Sequence, residues 1–580
     1  MGGYLGVEQS LTGRQWTGPD LERDRLAEAM AQQTGHPRPL CSVLARLGVH
    51  ADTVEAYLSP SIRDLLPDPR SLRDMETAGN RLNIALQSSE KIAVFADYDV
   101  DGGSSAALIL DWLRSLGHDA TLYVPDRIDE GYGPNVPAMQ ALAKAHSLII
   151  CVDCGTLSHE PIAAAQGADV MVLDHHLAGE TLPDACAIVN PNRQDEDGEL
   201  GHLCAAAVVF LFLVEANRQR REAGLPTPDL MQALDLVALA TVADVAELRG
   251  VNRAFVRQGL RVMAARARPG LAALADVARL DTAPAAYHLG YVLGPRVNAG
   301  GRIGKADLGA RLLSTRDPHE AAAIAQRLHD LNAERREIED QVRAAALAQV
   351  EDRDADSALA WAAGEGWHPG VVGIVASRLK EATNRPSIVI GLEGDEGKGS
   401  GRSVPGIDLG SIIQRVTAEG LLLKGGGHRM AAGLTVARDK LDAAMARITE
   451  LIARQPVDLG APRALRLDGV VMPGAATVPL LELMEQAGPF GAGAPGPRFA
   501  LPDMRVSFAK EVGTGHLKLR LTDGQSQIDA IAFSAFDSAL GPALSAGIGT
   551  NFHFAGRLEI NHWQGRKSVQ LRVEDAAAFT

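Results

Sequence analysis

Short hydrophobic runs alternate with amphipathic segments through the first half of the chain. Before residue 90, apolar positions recur at helical spacing, which predicts a helical lead-in. From residue 92 onward, fully apolar runs are separated by helical segments, a pattern typical of βαβ units around a largely parallel sheet. The predicted strands of this sheet are residues 92–96, 120–124, 147–152, 169–173 and 187–189.

The second half of the chain begins with helical patterns over residues 203–280, followed by an expected glycine-rich loop at 294–304. A long helical run at 318–350, charged on one face, predicts a connecting helix between domains. A second α/β domain is expected from residue 357, with glycine-rich loops. Its predicted strands are 359–363 and 387–390, around a helix at 373–382.

The C-terminal part contains short alternating segments separated by Gly and Asp turns, which predict a small β-barrel. An oligonucleotide-binding (OB) barrel is favoured, although periodicity alone leaves other small barrels open. The predicted strands are residues 465–470, 516–521, 529–533, 551–558 and 568–573.

The chain is therefore predicted to be an α/β protein with two α/β domains, a long helix between them and a C-terminal OB-like β-barrel. Its 580 residues exceed what one hydrophobic core usually supports. The expected divisions are a lead-in at 1–89, a first domain at 90–317, the connecting helix at 318–356, a second domain at 357–455 and the barrel at 456–580.

Composition narrows the class of protein. A formal net charge of -15 argues against a generally basic nucleic-acid binder, so any nucleic acid must meet a local basic groove. The five cysteines give no disulfide framework and favour a reducing cytoplasm. Cys151 and Cys154 are interpreted as buried strand-end residues, because no second pair completes a zinc set. We expect no signal peptide, and the longest apolar run, residues 203–214, is too short for a membrane span.

Three carboxylates at a spacing of two follow the first predicted strand. If the chain stays extended, Asp97, Asp99 and Asp101 lie on one side, where they would repel one another unless a divalent cation lies between them. A tight turn at Gly102 and a helix capped by Ser104 would follow. For this stretch alone, an acidic turn with a capping aspartate is the alternative.

Further metal-ligand candidates follow other apolar segments. Asp153 and the run from Asp174 to His176 each come directly after a predicted strand, and Asp244 lies in an apolar helical region. Each has a structural alternative: Asp153 could cap a helix, the histidines could lie in a surface loop, and Asp244 could pair with an arginine. Together they favour a metal centre.

The ligand types indicate the metal. Carboxylates with imidazole and without thiolate suit Mn²⁺ or Mg²⁺ better than a structural zinc. Two such ions about 3.5–4 Å apart can activate water and stabilise an in-line phosphoryl displacement. The expected reaction class is phosphoester hydrolysis.

Several motifs resemble those of the DHH phosphoesterase superfamily, and in particular its branch of single-strand-specific 5′–3′ DNA exonucleases. Gly300 stands where that branch's pattern has an alanine, which is a minor departure. The motifs are DYDVDG (97–102), DCG (153–155), DHH (174–176), TVADV (241–245), GPRVNAGGR (294–302), WHPGVVGIVASR (367–378), SGRS (400–403) and GGHRMAAG (426–433).

The resemblance implies a DHH catalytic domain, a DHHA1-like second domain and a set of residue roles. The metal ligands would be Asp99, Asp101, Asp153, His175 and Asp244, with Asp153 as the bridge and Asp97 as a ligand or a partner of one. His176 would face the scissile phosphate. Arg402, Ser403 and His428, with Ser400, Gly426 and Gly427, would hold the 5′-terminal phosphate. The strand's backbone would pass along Arg127, Arg296, Asn298 and Arg302.

The resemblance also implies partners and leaves rival functions to weigh. We expect single-stranded DNA as substrate, a single-strand-binding protein and a helicase as candidate partners, no membrane and a monomer. The rivals are a DHH phosphodiesterase of short oligonucleotides or cyclic dinucleotides, and a non-catalytic replication scaffold. The barrel and the long helix argue against the first, and the retained carboxylates argue against the second.

The sequence indicates only weakly that the barrel binds DNA. Residues 501–580 contain eight Lys/Arg and eight Asp/Glu, so the charge is balanced. Phe552, Phe554 and Trp563, beside Arg566 and Lys567, could stack bases, but a barrel core and rim give the same composition.

Overall fold

The structure is a computed structural model that describes residues 2–126, 130–353, 357–456, 463–563 and 565–579. Its N-terminal part contains one short strand followed by five helices. These are β1 (Arg14–Thr17), α1 (Leu21–Thr34), α2 (Arg38–Arg46), α3 (Val54–Leu58), α4 (Ile62–Leu65) and α5 (Met75–Gln87).

The first domain is built on a five-stranded parallel sheet with the order β3-β2-β4-β5-β6. Strands β2 and β4 are buried at every position, because helices cover both faces. This burial explains why each strand is a continuous apolar run in the sequence. The strands are β2 (Ile92–Ala96), β3 (Thr121–Tyr123), β4 (Leu148–Val152), β5 (Asp169–Leu173) and β6 (Ala187–Val189).

Helices surround this sheet and continue beyond it. Three helices lie between the strands of the sheet in the sequence: α6 (Val100–Ser115), α7 (Val136–Ala143) and α8 (His159–Ala163). The helices that follow β6 are α9 (Ala205–Glu222), α10 (Leu234–Ala243), α11 (Val251–Ala264), α12 (Pro269–Val277), α13 (Ala286–His288), α14 (Gly294–Ile303) and α15 (Leu308–Ser314). A helix of 34 residues, α16 (Pro318–Glu351), then leads to the second domain, as the sequence predicts. At 1.5 Å per residue it is about 50 Å long.

The predicted glycine-rich loop at 294–304 is wrong, because these residues form α14. A π-helical turn, Leu289–Leu293, precedes it. Glycine serves close packing here: a methyl group at Gly301 would lie 2.7 Å from the Tyr98 ring, and one at Gly300 would lie 3.1 Å from Leu328. The sequence shows the glycines but not the neighbours that require them.

The second domain contains a five-stranded mixed sheet with the order β10-β11-β9-β8-β7. Several segments expected to be glycine-rich loops are strands, so their backbone groups pair within the sheet. The elements are β7 (Ala360–Glu365), α17 (Pro369–Thr383), β8 (Ser387–Glu393), β9 (Glu396–Arg402), α18 (Leu409–Ala418), β10 (Lys424–His428), β11 (Ala431–Ala437) and α19 (Leu441–Ala453).

The C-terminal part forms a closed barrel of five strands, β13-β14-β15-β17-β16. The segment predicted as its first strand, at 465–470, is not in the barrel: β12 (Arg463–Arg466) pairs in parallel with β1 instead. The remaining elements are α20 (Val478–Gln486), β13 (Phe499–Val512), β14 (His516–Thr522), β15 (Gln527–Ala532), α21 (Leu540–Ala546), β16 (Asn551–Trp563) and β17 (Arg566–Ala578).

The N-terminal helices and the barrel share one hydrophobic core. Met30, Leu40 and Leu44 are fully buried together with Phe499 and Phe554 of the barrel. The ends of the chain therefore form one packed unit, a contact that local sequence patterns do not reveal.

The predicted fold class is confirmed: two α/β domains are joined by a long helix and followed by a closed β-barrel. The domain boundaries given above stay predictions. Within the described ranges, none of the helices combines the length and apolar character that a membrane span requires.

Candidate metal centre

The candidate ligands meet at one edge of the first sheet. Asp97, Asp153 and Asp174 each follow directly after the carboxyl end of a parallel strand, β2, β4 and β5 respectively. After β2 the chain forms β3 on one side of β2 and then crosses to form β4 on its other side. The crevice between β2 and β4 is therefore the topological switch point, where open α/β sheets bind their ligands.

The loop after β2 ends earlier than the sequence predicts. Asp99 is the N-cap of α6, and its carboxylate accepts hydrogen bonds from the backbone N–H groups of Asp101 and Gly102 at 2.8 and 3.1 Å. The predicted cap at Ser104 is therefore wrong, since Ser104 is buried inside the helix. A side chain at Gly102 would lie 2.5 Å from the Asp97 carbonyl oxygen, so glycine allows this close approach.

Asp101 is buried in the first turn of α6 and is held by a second helix. Its two carboxylate oxygens accept hydrogen bonds from the N–H groups of Ala205 and Ala206, both at 2.7 Å, at the start of α9. Burial raises the pKa of Asp101, although nearby His175 opposes the shift. The N-terminus of α9 thus orients a carboxylate that burial disfavours as an anion.

Asp153 combines a left-handed backbone, with φ of +60°, with a buried side chain. Within the described ranges its Oδ1 atom accepts no hydrogen bond, although His175 Nε2 lies 3.3 Å away. Burial and the charges of Asp101 and Asp99 raise the pKa of Asp153. Asp153 does not cap α8, which begins at His159 after Ser158.

Asp244 reaches the same cluster from the C-terminal end of α10. Its Oδ2 atom lies 3.9 Å from His175 Nε2. Burial, followed by repulsion from Asp101 and Asp99, raises the pKa of Asp244 to about 8. No arginine in the described part of the chain forms an ion pair with it, so the alternative of an arginine-paired cap is not what the structure has.

These residues form three overlapping groups whose donor atoms lie within 4.8 Å of one another. The groups are Asp97, Asp99 and Asp153; Asp101, His175 and Asp244; and Asp153, His175 and His176. Mutual repulsion between buried carboxylates, and the buried Asp153 oxygen without a hydrogen bond, are what a divalent cation would relieve. An oxygen-rich donor set with imidazole fits Mn²⁺ or Mg²⁺.

A second set of residues positions the imidazoles. The buried Asp174 carboxylate accepts hydrogen bonds from Thr156 Oγ1 at 2.6 Å and from His176 Nδ1 at 2.8 Å. Although burial opposes it, the hydrogen bond from His176 lowers the pKa of Asp174, and the same contact raises the pKa of His176 to about 9. Asp174 therefore holds His176 in place, a role that its place in the DHH motif could have suggested.

Tyr132 is a site residue that the sequence reasoning missed. Its hydroxyl donates a hydrogen bond to the Asp153 carbonyl oxygen at 2.8 Å and lies 3.1 Å from His176 Nε2. The available signal was its position five residues after Arg127 within a glycine-flanked segment. Arg127 itself lies outside the described residues.

The residues predicted to hold the 5′-phosphate lie on the second sheet. Ser400 and Arg402 share one face, and His428 is aligned with Arg402 across β11. Arg402 Nη1 donates to Ser400 Oγ at 3.0 Å. On the same face, a methyl group at Gly426 would meet no atom within 4 Å, so the surface above it is open.

Two of the predicted phosphate ligands do not lie on that face. Ser403 is buried, and its hydroxyl donates to the Ile407 carbonyl oxygen at 2.9 Å. Gly427 alternates with Gly426 and His428 along β10, so it projects toward the opposite side.

Helix α14 joins the two predicted regions. The side-chain oxygen of Asn298 accepts a hydrogen bond from the Val100 N–H at 2.9 Å, beside the metal loop. One turn later, about 6 Å along the helix, Arg302 Nη1 donates to the Gly370 carbonyl oxygen at the start of α17 at 3.0 Å. Arg296 is largely buried and donates to the Val292 carbonyl oxygen at 2.5 Å.

The barrel residues predicted to stack bases are mostly inside it. Phe554 is 0% and Phe552 is 7% exposed, so both belong to the barrel core, which is the alternative that the sequence left open. The side chain of Trp563 lies outside what the structure describes. Neither buried ring can contact a DNA base without unfolding the barrel.

An outer face of the barrel carries several basic side chains. One cross-strand row contains Lys510, Lys518, Ile531, Arg572 and Arg557. Phe533, 50% exposed, follows β15 directly, and the Arg572 guanidinium lies 5.3 Å from its ring centroid. In this surface, called the cationic row below, Arg557 pairs with Glu574 and Arg572 with Glu559, so Lys510 and Lys518 supply the charge that is unpaired among the described residues. The exposed Phe533 ring lies at the edge of the same row.

Comparison with known proteins identifies the domains. The DHH family, N-terminal domain, matches residues 91–241, the DHHA1 domain matches 355–454, and the RecJ OB domain matches 467–575. The Single-stranded-DNA-specific exonuclease RecJ of Dickeya dadantii is 38% identical over 93% of this chain and 97% of its own length. That of Escherichia coli is 37% identical over 93% and 96%.

Solved structures give the same result. RecJ from Thermus thermophilus in complex with Mn²⁺ has a TM-score of 0.80 at 30% identity, and the match covers 97% of this chain and 79% of that one. The structure of the same protein with Mg²⁺ has a TM-score of 0.74 at 29% identity, over 97% and 78%.

The fold, the donor set and the matched domains define a metal-dependent nuclease of the DHH phosphoesterase class. Mn²⁺ and Mg²⁺, the ions named for the Thermus structures, are those that the donor set favours. Within this class, the chain belongs to the RecJ family of single-stranded-DNA-specific exonucleases.

Proposed function

We propose that the protein hydrolyses single-stranded DNA from its 5′ end and releases 5′ mononucleotides, as part of DNA repair and recombination in the cytoplasm. The observation that carries this proposal is the contact path through α14. One turn of this helix connects the metal loop, through Asn298, with the start of α17, through Arg302. A strand end held on the second domain would thus lie near the carboxylates.

The metal centre supplies the hydrolytic chemistry. Asp99, Asp101, Asp153, His175 and Asp244 would hold two Mn²⁺ or Mg²⁺ ions, which when bound activate water and stabilise charge on the scissile phosphate. Asp97, which lies with Asp99 and Asp153 in one donor group, would be a further ligand or a partner of a ligand. Asp153 would be the bridging ligand, because it belongs to two of the three donor groups, one with Asp97 and Asp99 and one with the two histidines.

His176 would contact the scissile phosphate directly, in addition to the metal ions. Asp174 accepts a hydrogen bond from His176 Nδ1, and Nε2 lies 3.1 Å from the Tyr132 hydroxyl. This hydrogen bond from Nδ1 raises the pKa of His176 to about 9 against the effect of burial, which favours the protonated ring. A fixed cation at this position stabilises negative charge that develops on a phosphoryl oxygen.

The 5′ end would be recognised on the open face of the second sheet. Arg402 and His428 are aligned across β11, and Gly373 near the start of α17 lies close to Ser400 and Arg402. A terminal phosphate here would meet a guanidinium and the positive end of a helix. A 5′-terminal phosphate is present at only one end of a strand. Recognition of this group would therefore set the direction of digestion.

The barrel would bind the strand beyond the active site. The cationic row provides backbone contacts, and Phe533 provides a stacking surface. The OB domain therefore supports single-stranded DNA binding on this outer face, while its core phenylalanines serve only stability. A single-strand-binding protein and a helicase are proposed as partners of a monomeric enzyme.

One gel separates this function from its rivals. The protein is incubated with Mn²⁺ and with single and double strands labelled at either end. We expect labelled mononucleotide to appear at once from the 5′ label and a shrinking ladder from the 3′ label, on single strands alone. Cleavage restricted to dinucleotides would favour a short-oligonucleotide phosphodiesterase, and no cleavage would favour a scaffold.

A further inference from the structure

A segment next to the barrel enters the catalytic domain beside Asp244. Ala494 is 2% exposed and belongs to the hydrophobic core of the first domain, together with Leu248. The Leu248 N–H donates to the Ala492 carbonyl oxygen at 2.8 Å. Residues 486–494, called the bracing segment below, therefore contact the loop that directly follows the metal-ligand candidate Asp244.

Glycines in the bracing segment fit closely against that loop. A methyl group at Gly491 would lie 2.8 Å from Leu248 Cδ1, and one at Gly493 would lie 3.1 Å from Glu247 Cβ. Gly493 also has φ of +68°. The two surfaces are thus in contact at backbone level, and larger side chains would push the loop away.

Two arginines on α11 fasten the same segment from the other side. Arg253, 3% exposed, donates to the carbonyl oxygens of Ala487 and Gly488 at 2.9 and 3.1 Å. Its guanidinium also lies 3.6 Å from the centroid of the Tyr57 ring. Arg257 donates to the carbonyl oxygens of Leu58 and Gln486 at 2.5 and 3.3 Å.

The loop held in this way is strained. Val245, directly after Asp244, has φ of +60° and is 71% exposed. A β-branched residue in the left-handed region is unfavourable, and such a conformation persists only when its surroundings impose it. Hydrogen bonds that close the end of α10 impose it locally: the Val245 N–H donates to the Val242 carbonyl oxygen at 3.2 Å, and the Ala246 N–H donates to the Thr241 carbonyl oxygen at 3.1 Å. The anchored Leu248, three residues after Val245, fixes the chain that follows this turn.

We propose that the bracing segment is a positioning element of the metal centre: it holds the strained loop so that the Asp244 carboxylate faces His175. The proposal rests on the ligand role of Asp244 in the proposed function and goes beyond it, because it makes metal affinity depend on residues of the C-terminal part. Contacts of the bracing segment with Leu248 and Glu247 then act on the metal centre through the position of Asp244.

The test uses the full chain and Mn²⁺ without DNA. Gly493→Val is compared with Gly224→Val, because Gly224 has a nearly equal φ of +69° but no atom within 4 Å of an added methyl group. Free Mn²⁺ is measured by electron paramagnetic resonance, and amide hydrogen exchange is followed over residues 244–250. Both variants carry the same backbone strain, but only the first meets the Asp244 loop.

We expect Gly493→Val to weaken Mn²⁺ binding by about 10- to 100-fold and to speed exchange in the loop, with Gly224→Val close to wild type. Equal Mn²⁺ affinities for the two variants would overturn the proposal. If Gly493→Val does not fold, Gly491→Ala should show the same loss, and Leu248→Val in the same chain should restore affinity by removing the clashing methyl. Failure of that rescue would overturn it too.

This readout is independent of catalysis. A wild-type protein that binds Mn²⁺ but releases no nucleotide would refute the proposed function, while the comparison of Mn²⁺ affinities would still decide the role of the bracing segment.

Discussion

Replacing Lys510 and Lys518 by Gln should lower both the affinity for a long single strand and the salt dependence of binding. Both lysines are exposed, lie side by side in the cationic row and have no ion-pair partner among the described residues. On a single strand each neutralised phosphate contributes a slope of about 0.7 in log K against log salt, so the double variant should lose about 1.4. When the salt is lowered from about 200 to about 50 mM, the affinity of the wild type should therefore rise about sevenfold more than that of the double variant.

The assay is fluorescence anisotropy with a labelled strand long enough to reach the barrel, measured at several salt concentrations with the metal omitted to prevent digestion. Arg520→Gln is the matched control, because Arg520 lies in the adjacent row and already pairs with Asp529 at 3.0 Å. We expect its slope to change much less. Parallel salt plots for wild type and the double lysine variant would refute the cationic row as a DNA surface and leave a protein-docking role.

Three other outcomes follow from the geometry. Arg402→Ala should weaken digestion of 5′-phosphorylated strands more than that of 5′-hydroxyl strands; an equal loss in a rate comparison would place Arg402 elsewhere on the backbone. Asp174→Asn should lower kcat for nucleotide release by about 10- to 100-fold with little change in single-strand affinity, since it frees His176; unchanged kcat argues against that contact. Phe554→Ala should reduce the free energy of unfolding by about 3–5 kcal/mol in chemical denaturation, because it empties the barrel core; a change below about 1 kcal/mol would contradict the burial.

The sequence predicted the elements whose signals are local. The strands of the first sheet and the helix α16 follow from apolar runs and from helical spacing, and the carboxylates after β2 and β4 meet because parallel strands end at one edge. At the metal loop the prediction was only partly right. Asp99 turns the chain into α6 immediately, because its carboxylate caps the helix.

What the sequence could not show depends on distant neighbours. The glycines of α14 resemble a loop until Tyr98 and Leu328 are placed against them. Phe552 and Phe554, two residues apart, lie on the same face of their strand. The sequence alone does not show whether that face points into the barrel or out toward DNA. The contact between Arg253 and Ala487 joins residues 234 positions apart, so no local pattern reveals that the C-terminal part reaches the catalytic domain.

The left-handed backbone at Asp153 marks the residue that matters most for the proposed metal centre. A strained conformation costs roughly 1–3 kcal/mol and persists where the surroundings impose it, often at functional sites. Asn in its place keeps the size and tolerates the left-handed region, so the variant should fold, but it removes one negative charge from the centre.

The most direct test is therefore the exonuclease rate of Asp153→Asn on a 5′-labelled single strand with saturating Mn²⁺, together with its affinity for that strand. We expect hydrolysis to fall by at least about 100-fold, with strand affinity preserved, because the shared carboxylate of a two-metal centre is lost. A rate within about tenfold of wild type would contradict the assignment of this cluster as the metal centre.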